Sequence, residues 1–164
     1  MLRENVSGGP AIHAGRSTDG GATWASETAD REISQPATLM TNLAASADPC
    51  LQETHVVYTA SFDTQSPYHY EVYATSSYDN GQSWTGEFGL TPVSHDEGGS
   101  RSASNPDVFV GFGQGAIAGW DEAEDTAGTN EIHVSRGPGW SGAVADEIIS
   151  FPDGEDGYRP SIAG

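Results

Sequence analysis

The chain has 164 residues and sets 24 Asp and Glu against 6 basic residues, all of them Arg, for a formal net charge of −18. So acidic a chain repels phosphate backbones and anionic bilayers, which excludes nucleic-acid binding and electrostatic membrane docking. No apolar run reaches the ~20 residues of a membrane span, and the lone Cys50 excludes an internal disulfide and a cysteine-based zinc site.

Leu, Ile, Val and Phe together supply only 26 of the 164 residues, a composition that with this charge points toward disorder. Four Trp, six Tyr and five Phe, together with an internal repeat, argue for a packed fold instead. An acidic surface without Lys suits concentrated salt, where screening removes self-repulsion. The opening Met1-Leu2-Arg3-Glu4-Asn5 shows no apolar signal-peptide core, and Asn5-Val6-Ser7 matches a glycosylation sequon by pattern alone.

In chain order, the first β segment covers residues 11–17. Residues 39–45 have room for one helical turn between Pro36 and Pro49. Residues 55–62 form a β-rich run, and residues 70–76, 107–112 and 131–135 alternate apolar with polar, as half-buried strands do. The connections carry Gly, Pro, Asp, Asn and Ser.

The segments starting at Ala11, Glu71 and Glu131 align at an offset of 60 residues each time. His13, Tyr73 and His133 share one position in this alignment, which reads as a packing position. Glu71 and Glu131 share another. Two further landmarks recur. Pro49-Cys50-Leu51, Pro106-Asp107-Val108 and Pro160-Ser161-Ile162 each open with Pro-x-apolar, and Phe62-Asp63 matches Trp120-Asp121 at an offset of 58. Four short strands in each ~58 residues is the pattern of a β-propeller blade, with a β-helix as the competing reading.

Behind the first two aligned segments stands a sharper motif. Ser17-Thr18-Asp19-Gly20-Gly21-Ala22-Thr23-Trp24 matches Ser77-Tyr78-Asp79-Asn80-Gly81-Gln82-Ser83-Trp84 as Ser-x-Asp-x-Gly-x-Thr/Ser-Trp. The Asp can accept the N–H groups of its own turn, Gly and Asn tolerate positive φ, and the Trp offers a flat face for packing. This motif resembles the Asp box, or BNR repeat, of the sialidase-like β-propellers. The third copy departs: after Arg136 the chain reads Gly137-Pro138-Gly139-Trp140, without the Asp and about four residues shorter.

The resemblance implies an all-β fold, a propeller segment of four-stranded antiparallel blades, with about three blades in an incomplete ring. Residues 1–35 form the C-terminal half of a blade, with its third and fourth strands. Residues 36–100 form a second blade, 101–157 a third, and 158–164 the first strand of a further one. The remaining blades come from a longer chain or from a homo-oligomer that closes the ring. In the family the box lies between the third and fourth strands, opposite the ligand face. Ser17, Asp19, Gly21, Trp24, Ser77, Asp79, Gly81 and Trp84 are therefore structural.

The ligand face is expected at the loops before first strands and between second and third strands. Sialidases hold a substrate carboxylate with three arginines, and Arg101 and Arg159, with Tyr158 beside the latter, stand before first strands here. Asp63 and Asp121 are the candidates for a general acid. The acidic run Asp121, Glu122, Glu124 and Asp125 is a candidate Ca²⁺ ligand set; no other cofactor is implied. The sequence offers no clear Tyr–Glu pair for the family's nucleophile. Two functions are thus expected: part of an exo-α-sialidase-type or glycan-binding protein not active alone, or a non-catalytic extracellular scaffold for protein or carbohydrate ligands.

Overall fold

The computed structural model describes residues 2–5, 8–24, 31–85, 93–94, 102–111, 115–123, 129–137, 146–149 and 160–163. These form ten strands: β1 (Leu2–Asn5), β2 (Gly9–Ala14), β3 (Arg31–Glu32), β4 (Leu39–Asp48), β5 (Glu53–Ser61), β6 (Glu71–Ser77), β7 (Ala103–Gly111), β8 (Gly115–Ala123), β9 (Asn130–Gly137) and β10 (Asp146–Ile148). They make three antiparallel sheets: β1-β2-β3, β4-β5-β6 and β7-β8-β9-β10. The fold is all-β, and none of the sheets closes on itself.

Residues 39–45 belong to β4 and not to a helical turn. Their Leu, Met and Ala favour helix locally, but β5 offers a Val-, Thr- and Tyr-rich partner along the whole of β4. Pairing with a strand that itself must be buried overrides that weak preference. Sheet 1 also holds one strand more than the half-blade expected of residues 1–35, because β1 pairs antiparallel with β2.

The 60-residue repeat is visible in the hydrogen bonds. The carbonyls of Ile12, Val72 and Ile132 accept the N–H groups of Ile33, Val93 and Ile149 at 2.8, 2.7 and 2.9 Å. The N–H groups of Ile12 and Val72 donate to Ser34 Oγ and Ser94 Oγ at 2.8 and 2.9 Å. Residues 93–94 thus border β6 as β3 and its continuation border β2.

Register corrects two landmarks. Thr59 lies opposite Val72, and Asp121 opposite Ile132. The partner of Trp120 in the repeat is therefore Tyr58, and not Phe62. The rings agree: Tyr58 stacks on Tyr73 at 5.9 Å and Trp120 on His133 at 5.8 Å. Pro49 lies beyond the end of β4, in the turn to β5, whereas Pro106 lies within β7. The real correspondence is a one-residue bulge in each first strand, at Asn42 in β4 and at Asn105-Pro106 in β7. A dipeptide coincidence carries no register, whereas cross-strand ring pairs and bulges fix it.

The core lies between the sheets. Ile12 and Ile33 of the first unit, with Ala37 just after it, meet Val56, Tyr58, Ala60 and Trp84 of the second. Val57, Val72, Ala74 and Val93 on the other face meet Val108, Val110, Ala116, Ala118 and Trp120 of the third. Strand alternation in β5 splits its side chains between these two layers. The sheet β4-β5-β6 thereby turns one face to β1-β2-β3 and the other to β7-β8-β9-β10.

Candidate functional site

The two ends of the sheets carry different chemistry. At one end, β6 runs into the second Asp box, beside the β4–β5 turn. Ser77 Oγ donates to Asp79 Oδ1 at 2.9 Å and accepts the Gly81 N–H at 2.7 Å. Asp79 also takes the N–H groups of Gln82 and Ser83, both at 2.8 Å, and the Ser83 hydroxyl at 2.6 Å. The first box repeats the pattern. Ser17 Oγ donates to Asp19 at 2.8 Å and accepts Gly21 N–H at 2.8 Å, and Thr23 donates its N–H and hydroxyl to Asp19 at 2.8 and 2.5 Å. The turn needs positive φ, supplied by Gly20 and Gly21 (72° and 91°) and by Asn80 and Gly81 (57° and 79°).

Hydroxyl and N–H donors favour the charged carboxylate. The Thr23 hydroxyl and N–H bring Asp19 down to about 2, and those of Ser83 do the same for Asp79. Both boxes are thus filled by their own donors. A cavity of about 180 Å³ beside the second is lined by Ser76, Tyr78, Asp79, Ser83, Trp84 and Thr85.

The opposite end gathers the candidate functional groups. Asp63 follows β5 and is half-exposed. Its Oδ2 accepts the His69 N–H at 2.7 Å and lies 3.1 Å from His69 Nδ1. The His69 N–H, with the His69 ring and the Ser61 hydroxyl, lowers its pKa below the usual carboxylate value. Asp121 is not in a loop: it lies within β8 and is 1% exposed. Ser104 Oγ donates to its Oδ2 at 2.6 Å, Asn105 Nδ2 to its Oδ1 at 2.8 Å, and Asn130 Nδ2 to its Oδ2 at 3.4 Å. Asn105 sits at φ 48° and accepts from Asn42 Nδ2 at 3.2 Å, linking the bulges of two neighbouring sheets.

Asp63 and Asp121 are therefore not equivalent and do not form a repeated pair. Glu122 faces the other side of β8, where it accepts the Trp120 indole N–H at 2.8 Å. Asp121 and Glu122 point to opposite faces of one strand, so they do not share an ion. Among the described residues no group of three or more His, Cys, Asp or Glu converges. Glu124, Asp125, Arg101, Tyr158 and Arg159 lie outside the described residues, as does the degenerate third turn beyond Gly137.

Other paired positions are structural. Glu71 accepts the Ser94 hydroxyl, His133 stacks on Trp120, and Tyr73 stacks on Tyr58. Glu71 and Tyr73 are also a Tyr and a Glu two residues apart. Burial, then the charges of Glu71 and Asp63, pushes the Tyr73 hydroxyl up to about 12, so it remains a neutral phenol. The Asn42–Asn105 contact and the Ser34 and Ser94 acceptors escape a motif reading. The pairs Ile33-Ser34 and Val93-Ser94, 60 residues apart, carry the signal for the second. Compared with protein-family models and with curated proteins, the sequence matches none.

Proposed function

We propose that this chain is a segment of a sialidase-like Asp-box propeller that binds carbohydrate without hydrolysing it alone. The binding face is the end of the sheets that carries Asp63, His69 and Asp121. The observation that carries the reading is the state of its two candidate acids. A general acid must hold a proton near neutral pH. Asp63 is instead kept ionised by donors from His69, and both oxygens of Asp121 are engaged inside the fold. Carboxylates, amides and hydroxyls at this end suit the hydroxyl groups of a sugar. The Asp boxes at the far end support the family likeness and take no part in binding. An extracellular or cell-surface location belongs to the same reading.

The test is a titration with sialyllactose and with lactose, followed by amide chemical shifts, alongside a fluorogenic sialoside assay. Shifts confined to the neighbourhood of Asp63, His69 and Tyr70 without turnover are expected. Turnover that disappears in Asp63→Asn would refute the non-catalytic reading. An absence of shifts at millimolar sugar would refute carbohydrate binding. It would favour the second reading, a protein-interaction scaffold, which Trp24 supports: it is 65% exposed and is the kind of side chain that anchors protein interfaces.

A further inference from the structure

Resting on the carbohydrate reading above, we infer that the ligand of the Asp63–Asp121 end is an uncharged sugar. Asn42 grips it through two adjacent hydroxyls, and Asp121 positions Asn42 through Asn105.

Asn105 sits at φ 48° in the bulge of β7, and a bulge re-aims a side chain that a regular strand would hold in line. Both hydrogens of its amide are taken, by Asp121 Oδ1 at 2.8 Å and Ser104 Oγ at 3.4 Å. Its Oδ1 is thereby turned away from Asp121 and accepts from Asn42 Nδ2 at 3.2 Å. Asp121 is 1% exposed and is itself held by Ser104 Oγ and Asn130 Nδ2 at 2.6 and 3.4 Å. The hydrogen bonds thus run from β9 through β8 and β7 to β4, and they fix which way each amide points.

Asn42 is the outer end of this chain of bonds and is exposed in the bulge of β4. One of its N–H groups is used; the other N–H and the carbonyl oxygen have no partner among the described residues. An amide held this way shows a donor and an acceptor side by side, which matches two adjacent hydroxyls, one accepting and one donating. Beside the bulge, Thr59 lies opposite Thr41 and is 1% exposed, and its Oγ1 has no partner among the described residues. A buried hydroxyl left unmet is a group that a bound hydroxyl or water completes. The two sheets are tied at this rim: the Tyr70 N–H donates to Ser102 Oγ at 3.2 Å and the Ala103 N–H to the Tyr70 carbonyl at 2.8 Å. A site formed before the ligand arrives loses little freedom on binding.

Charge selects the class of sugar. Asp63 follows Ser61, which pairs with Leu39 at the start of β4, so it shares the rim with Asn42. Donors from His69 keep it ionised, and it is half-exposed. Among the described residues the arginine side chains stand toward the other end. Arg16 adjoins the first box, Arg31 donates to the Gln82 carbonyl in the second, and Arg136 lies opposite Ile117 near the start of β8. A carboxylate on the sugar would meet like charge at this rim, whereas a neutral ring meets none.

The test is calorimetric titration of the chain with lactose, cellotriose, mannotriose and xylotriose, and with the carboxylate-bearing sialyllactose and trigalacturonate. In about 1 M NaCl a screening length of ~3 Å suppresses the general repulsion of the acidic chain, so discrimination comes from contacts at the site. At least one neutral sugar should bind ~10-fold or more tightly than either acid. Asn42→Ala and Asn42→Asp should each weaken that sugar ~10-fold or more. Both should keep the melting transition, because Asn42 is exposed. In Asp121→Asn the side-chain amide resonances of Asn105 and Asn42 should move together while affinity falls. Lost stability with an unmoved Asn42 amide overturns the positioning by Asp121. Equal or tighter binding of the acids overturns the class of ligand while carbohydrate binding stands. Wild-type affinity in either Asn42 variant overturns the contact. If no sugar binds at millimolar concentration, the carbohydrate reading itself fails and takes this inference with it.

Discussion

The repeat supplies its own control for how the sheets are held together. Trp84 and Trp24 stand at one motif position, but Trp84 is 6% exposed and Trp24 65%. Trp84 belongs to the apolar layer of Ile12, Ile33, Ala37, Val56, Tyr58 and Ala60. A Trp side chain buries roughly 150–250 Å², which at about 25 cal/mol per Å² is worth roughly 4–6 kcal/mol. Its buried indole Nε1 has no hydrogen-bond partner among the described residues, which offsets roughly 1–3 kcal/mol. Trp84→Ala should then cost about 3 kcal/mol, at the lower end of the ~3–5 observed for such truncations. For a chain of this size, that lowers the melting temperature by roughly 6–12 °C. Trp24→Ala should cost less than about 1 kcal/mol. Trp84→Phe keeps a ring in the layer and removes the unpaired N–H, so it should also cost less than about 1 kcal/mol. Urea unfolding followed by dichroism measures all three. Equal losses for Trp84→Ala and Trp24→Ala would refute the idea that sheet 1 covers one ring and nothing covers the other. A Trp84→Phe loss as large as that of Trp84→Ala would refute the unpaired N–H.

Three further outcomes follow from the same structure. Asp79 has its pKa lowered to about 2, so its stabilising contribution is complete above the ordinary carboxylate value and is lost as pH falls toward 2. Urea midpoints at pH 5 and pH 2.5 should drop less for Asp79→Ala than for the wild type, and an equal drop would remove the box carboxylate from the account. His55 is buried, with Nδ1 on Ser76 Oγ at 2.8 Å and Nε2 3.6 Å from Glu53. Burial lowers its pKa against the pull of Glu53, so stability should fall as pH drops below about 6.5; that slope should vanish in His55→Gln, and a slope that persists would refute the assignment. Gly9 sits at φ 99°, where a Cβ would fall 2.1 Å from the Ala37 carbonyl oxygen, whereas Gly20 at φ 72° has nothing within 4 Å. Gly9→Ala should therefore cost more than about 3 kcal/mol and Gly20→Ala about 1–2 kcal/mol; similar losses in thermal unfolding would count against the close approach at Gly9.

β5, β6, β7 and β9 were legible because alternation and β-branched runs report burial directly. Of the runs 55–62, 70–76, 107–112 and 131–135, residues 55–61, 71–76, 107–111 and 131–135 lie on strands, and Phe112 lies outside the described residues. The box was legible down to individual hydrogen bonds, since a turn closed by its own side chains needs no distant partner. What depends on distant pairing was not. Residues 39–45 look helical until β5 lies beside them. Trp120-Asp121 looks like Phe62-Asp63 until the ladder assigns Tyr58 to the Trp120 position. That misalignment put Asp121 in a loop, where a carboxylate could act on a ligand. The ladder puts it inside β8, where three donors surround it.

The corrected register sharpens the contrast between the two ends of the sheets. At the box end, Asp19 and Asp79 gather the same donors at nearly the same distances. At the other end, the residues that surround Asp121 in the third unit, Ser104, Asn105 and Asn130, stand where the second unit has Thr41, Asn42 and Tyr70, and Asp121 itself replaces Thr59. Only the bulge Asn is common, and it links the two units through the Asn42–Asn105 hydrogen bond. A turn that serves packing alone has one good solution and repeats it. An end whose polar groups differ from unit to unit presents an asymmetric surface, which a ligand larger than one unit requires. The proposed binding at the Asp63–Asp121 end is supported by that asymmetry, and the two boxes, which share one geometry, fit a scaffold role.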